Sequence, residues 1–78
     1  MPARRVVVSG IVQGVGFRYF VRRRAEALGV PVDVWNRDDG KVELVARHVD
    51  PAKLDALQEL LWTGPGRVES VEADVAEE

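Results

Sequence analysis

Between Arg4 and Leu28 the apolar side chains change from an extended to a helical rhythm across four residues, Gln13-Gly14-Val15-Gly16. "RRVVVSGIV", Arg4 to Val12, is rich in β-branched residues and reads as a central strand. From Phe17 to Leu28 the apolar positions are 17, 20, 21, 25 and 28. That spacing predicts a helix with Arg22, Arg23 and Glu26 toward solvent. Gly29 then stands where a left-handed C-terminal cap is expected. Where the strand after such a helix runs parallel to the first in the same sheet, the crossover is right-handed.

The remaining residues supply the return. Val32 to Asn36 alternates, with Val32, Val34 and Asn36 on one face and Asp33 and Trp35 on the other. "RDDG" at 37–40 is a hairpin signal. Lys41 to Arg47 alternates again, with Val42, Leu44 and Ala46 facing together. Asp50-Pro51 reads as an N-cap followed by proline at the first helical position. Leu54, Leu57, Leu60 and Leu61 form the apolar stripe of a second helix, and "TGPG" at 63–66 stops it. Arg67 to Val75 is a final, acidic strand. The order is βαββαβ. It predicts an α+β, ferredoxin-like plait with an antiparallel sheet and both helices on one face.

Length sets the scale. The 78 residues, 46% of them hydrophobic, make one domain over 1–78. A domain of this size buries only about 60–65% of its unfolded surface, and its expected radius of gyration is roughly 12 Å. Any site is therefore a shallow surface cradle. The absence of cysteine excludes disulfides and thiolate chemistry, and a single histidine, His48, excludes a histidine-rich metal site. No stretch reaches the ~20 apolar residues of a membrane helix, and no signal peptide is legible. A cytoplasmic protein without membrane contact is the expectation. Charge is polarised: residues 1–24 carry six arginines and no acid, and residues 69–78 carry five acids and no base. That pattern suits a small anionic ligand near the N-terminal half better than a nucleic acid spread over the surface.

Residues 13–20 admit several motif readings. A dinucleotide fingerprint needs a third glycine where Tyr19 stands, and a larger sheet. A P-loop needs a Gly-Lys-Ser/Thr ending that is absent. "QGVGFRYF" partly matches an RNA-binding submotif. That submotif, however, displays aromatics from a third strand, whereas Phe17 and Phe20 fall on the buried stripe of a helix. A phosphate cradle fits the physics. Gly14 and Gly16 allow positive φ and close approach. Successive N–H groups then converge as an anion nest, joined by the unpaired N–H groups of the helix start. Arg18, in the first turn, offers planar, paired donors to phosphate oxygens. A cation at a positive helix end is unfavourable by itself, which an anionic ligand would explain. The plainer reading, a tight turn followed by a solvated arginine, stays open on spacing alone. Asn36 is likewise open between a functional amide and an ordinary strand-ending residue. His48, Asp38 and Asp39 read as turn residues, Arg22, Arg23 and Arg24 as a solvated face, and Trp35 and Trp62 as packing residues.

Three segments carry a family resemblance across nearly the whole chain. "GIVQGVGFRYFV" (10–21) resembles the acylphosphatase signature G-x-V-Q-G-V-G-F-R. "WNRDDGKVE" (35–43) resembles that family's second motif, an Asn shortly before a D-G-x-V-E hairpin. "GPGRVESVE" (64–72) resembles a shortened form of its closing segment. The family commonly has a Gly-aromatic-Val-Arg run before the Asn, where "VDVW" stands here, and a Phe-x-Ile tail, where this sequence reads "VAEE". The resemblance implies hydrolysis of acyl phosphates to a carboxylate and inorganic phosphate, with no metal or cofactor and no phosphoenzyme. It implies that Arg18 and the loop Gln13, Gly14, Val15, Gly16, Phe17 and Arg18 bind the phosphoryl group, and that Asn36 orients the attacking water. Inorganic phosphate would be product and inhibitor, and the protein a monomer. The alternative function is a non-catalytic module that binds an acyl or carbamoyl phosphate or another anion.

Overall fold

The computed structural model describes residues 2–76. Met1, Glu77 and Glu78, the ends of the domain expected over 1–78, lie outside the described residues. The elements are β1 (Ala3–Ile11), α1 (Phe17–Leu28), β2 (Val32–Asn36), β3 (Val42–Arg47), α2 (Pro51–Leu60), a 3-10 turn (Leu61–Thr63) and β4 (Arg67–Ala76). The sheet order is β2-β3-β1-β4, and every neighbouring pair is antiparallel. Each helix thus crosses over one intervening strand, the split arrangement of the ferredoxin-like plait.

The strand alternation decides which face the helices cover. Val6 and Val8 of β1, Val34 of β2, and Val42, Leu44 and Ala46 of β3 share one core with Phe17, Val21 and Ala25 of α1 and Leu54 and Leu57 of α2. Leu61, fully buried, enters that core from the 3-10 turn rather than from α2, and Leu60 is only half-buried. The turn was not legible as a separate element, because it continues the leucine spacing of the helix. Asp50 caps α2 as expected: its Oδ1 accepts from Ala52 N at 3.0 Å, with Pro51 in the first turn. Gly29 ends α1 in the left-handed region, at φ 71°. The Cα radius of gyration is 11.3 Å.

The other sheet face is uncovered and polar. Arg5 of β1 meets Glu43 of β3 at 3.4 Å, and Arg47 meets Asp33 at 3.0 Å. Cross-strand charge pairs of this kind suit a solvated face. Trp35 lies on this face at the β2 edge. Trp62 is 50% exposed, so it does not pack into the core as the sequence suggested. The reason is helical geometry: Leu61 takes the inward direction at that turn, and its neighbour points out. His48 is a turn residue, whose Nδ1 accepts from Asp50 N at 2.9 Å.

Candidate active site

The β1–α1 loop is held open by its backbone. Gly14 (φ 73°) and Gly16 (φ 84°) are both left-handed, which costs an L-residue with a Cβ about 1–2 kcal/mol each. Gly16 is the N-cap of α1, with no side chain capping the helix and no acid in its first turn. The first helical hydrogen bond is Phe20 N to Gly16 O, at 3.0 Å. Among the described residues, the N–H groups of 14–18 donate no hydrogen bond to another protein group. Unpaired main-chain donors at a helix start, with the positive end of the helix dipole behind them, have the chemistry to hold an anion.

Two side chains complete the site. Arg18 is exposed and, among the described residues, has no carboxylate or ring partner. Asn36 ends β2 on the helix-facing side, opposite Val42, and its amide makes no hydrogen bond among the described residues. A cleft of about 180 Å³ brings them together: its lining includes Gly14, Gly16, Phe17, Arg18, Arg22 and Asn36. That volume suits one phosphoryl-sized group and water, the shallow cradle that the chain length called for.

The structure adds one residue to those read from sequence and gives another a different contact. Arg22, taken there as solvated surface, lines the cleft beside Arg18. The signal was present, since residues four apart share a helix face. Gln13 has its side chain turned away from the cleft. Its Nε2 donates to Arg37 O at 2.7 Å and Lys41 O at 3.0 Å, both on the β2–β3 hairpin. Spacing could not reveal a contact over 24 and 28 residues.

The positive charge here is uncompensated. Arg18, Arg22, Arg23 and Arg24 on α1 form no ion pair among the described residues, while Arg4, Arg5, Arg37 and Arg47 all do. Arg23 and Arg24 instead lie over the Tyr19 and Phe20 rings, at 5.9 and 5.3 Å. A larger hollow of about 500 Å³ lies between α2 and the β1–β4 edge. Its arginine, Arg4, is paired with Asp55 at 2.6 Å. The hairpin below Asn36 is tied by Arg37, which meets Asp39 at 2.8 Å and Glu43 at 3.1 Å. The Lys41 N–H, and then Arg37, hold the Asp39 carboxyl below its usual range. Arg37 is shifted upward, chiefly by its hydrogen bond to Asp39. Among the described residues no three histidine or carboxylate side chains group as metal ligands would.

The sequence and the fold match known proteins. The acylphosphatase family model covers residues 4–78. An acylphosphatase of Xanthomonas euvesicatoria is 52% identical over 65 residues, which is 83% of this chain and 73% of that one. The crystal structure of an acylphosphatase from Bacillus subtilis superposes with a TM-score of 0.92 at 35% identity, covering 100% of this chain and 88% of that one. HypF of T.kodakarensis contains a similar unit: TM-score 0.86, 32% identity, all of this chain but 10% of that one. The chain belongs to the acylphosphatase family, enzymes that hydrolyse acyl phosphates.

Proposed function

We propose that the cleft between α1 and β2 is where this chain hydrolyses its acyl phosphate. In this reading Arg18 and the main-chain N–H groups of residues 14–18 hold the phosphoryl group, and Asn36 orients the attacking water. One observation carries the reading: amides, a guanidinium and a carboxamide that have no partner among the described residues line the same small cleft.

The chemistry asks for little more. Water attacks phosphorus in line, a new P–O bond forms, and the P–O bond to the acyl group breaks. The electron pair leaves on the carboxylate oxygen, and the water protons end on the phosphate. A carboxylate leaves readily, so no strong general acid is needed. What remains is positioning and stabilisation of charge on the equatorial oxygens. Charge-assisted hydrogen bonds contribute roughly 1.5–3 kcal/mol each, and the loop with Arg18 offers several. Asn36 carries a donor and an acceptor on one amide and does not titrate, which suits it to hold water.

The test is hydrolysis of benzoyl phosphate in the presence of a chelator, with inorganic phosphate as competitor. Arg18→Gln should lose turnover and phosphate affinity while the fold remains. Asn36→Ala should lose turnover by two or more orders of magnitude, on the order of other positioning groups, and keep phosphate affinity. Full rates after either change would refute the assignment, and anion binding without turnover in the unaltered protein would mark a binding module instead. The same reading has residues 1–78 acting as one monomeric cytoplasmic domain that does not engage nucleic acid. The arrangement of the open sheet face supports the last point: charge pairs cross it and its Trp35 sits at the β2 edge, whereas RNA-binding plaits stack bases on aromatics across that face.

A further inference from the structure

The cradle and Asn36 belong to different parts of the chain, and something must hold them in register. Gln13 immediately precedes Gly14, and its amide reaches the hairpin that begins one residue after Asn36. The two oxygens it meets close that hairpin. Lys41 O also accepts from Arg37 N at 2.8 Å, and Arg37 O accepts from Gly40 N at 3.3 Å. Both partners of Gln13 are carbonyl oxygens, so only the NH2 end of the amide fits, with both of its protons used. The side chain is half-buried, where such bonds suffer less competition from water.

We propose that Gln13 is a positioning residue: its amide clamps the β2–β3 hairpin to the β1–α1 loop and so fixes the Asn36 carboxamide over the bound phosphoryl group. The inference rests on the roles proposed for Asn36 and the cradle. Water held by Asn36 must lie in line with the bond that breaks, and small displacements of a positioning group cost rate steeply. Phosphate binding needs only the loop and Arg18. Loss of the clamp therefore slows turnover and spares phosphate affinity.

Gln13→Met keeps the length and removes both donors. Gln13→Glu keeps the shape and sets a carboxylate against two carbonyl oxygens. Both variants should lose about tenfold or more in kcat at neutral pH, on the scale of a misplaced catalytic group, with the inhibition constant of inorganic phosphate within about threefold of the original. The carboxyl of the Glu variant, beside two oxygens, titrates above the usual range. Once protonated it donates one hydrogen bond. Its kcat, taken as a ratio to the unaltered protein at each pH, should recover as pH falls toward 5, and that of the Met variant should not. In an Asn36→Ala background, Gln13→Met should add almost nothing, because the group it positions is gone. Three results would overturn the proposal: kcat unchanged in both variants, phosphate affinity falling in step with kcat, or a full additive loss in the Asn36→Ala background. If Asn36→Ala alone keeps full turnover, the fault lies with the role of Asn36 rather than with the clamp.

Discussion

Glycines in this chain are required for two different physical reasons, and substitution separates them. At Gly16 an added Cβ would meet nothing within 4 Å, so only the left-handed backbone resists a side chain. Gly16→Ala should cost about 1–2 kcal/mol, a fall in Tm of roughly 4–15 °C for a domain this small. At Gly10, φ is 129° and an added Cβ would lie 2.0 Å from Arg67 O, in the neighbouring strand. Gly10 sits where the β1–β4 register shifts, so this close approach belongs to a bulge. Gly10→Ala should therefore destabilise well beyond Gly16→Ala in parallel thermal melts. Equal losses would mean that backbone conformation alone governs both positions.

Among the elements, the β2–β3 hairpin links stability to pH. Asp39 accepts from Lys41 N at 3.1 Å and from Arg37, and its pKa in the fold is lowered. A carboxylate with a lowered folded pKa adds stability that is fully present above its unfolded pKa. The stability is lost as pH falls through the folded value. Acid should therefore loosen the hairpin, and Asp39→Asn should flatten that part of the pH–stability curve. An unchanged slope between pH 5 and 2, followed by denaturant unfolding, would refute it. Elements of this chain were widely legible before their packing was known. The bounds of α1 and β2 match their apolar spacing, and the Asp50-Pro51 start of α2 follows from capping chemistry alone. What escaped was the 3-10 turn, which shares its leucine rhythm with α2, and the bulge at Ser9–Gly10, since a register shift involves a partner strand.

At the scale of the molecule, one core unites both helices with one sheet face, and burial there should dominate stability. Leu57 is fully buried and Trp62 half exposed. Leu57→Ala should lose about 2–5 kcal/mol by urea unfolding, a large part of the stability such a domain possesses. Trp62→Ala, although the larger truncation, should lose less; the reverse order would restore Trp62 to the core. Local chemistry was sufficient for much of this protein. The βαββαβ order, the glycine loop running into α1, and the presence of Arg18 and Asn36 at element ends all follow from spacing and residue type, which act within a few residues. Only tertiary structure decided that Arg18, Arg22 and Asn36 share one cleft, that among the described residues Arg18 lacks a carboxylate while Arg4 has one, and that Gln13 turns from the loop to the hairpin. Those outcomes depend on which strands lie side by side and which side chains then come within a few ångströms. Periodicity along a chain carries no such distance.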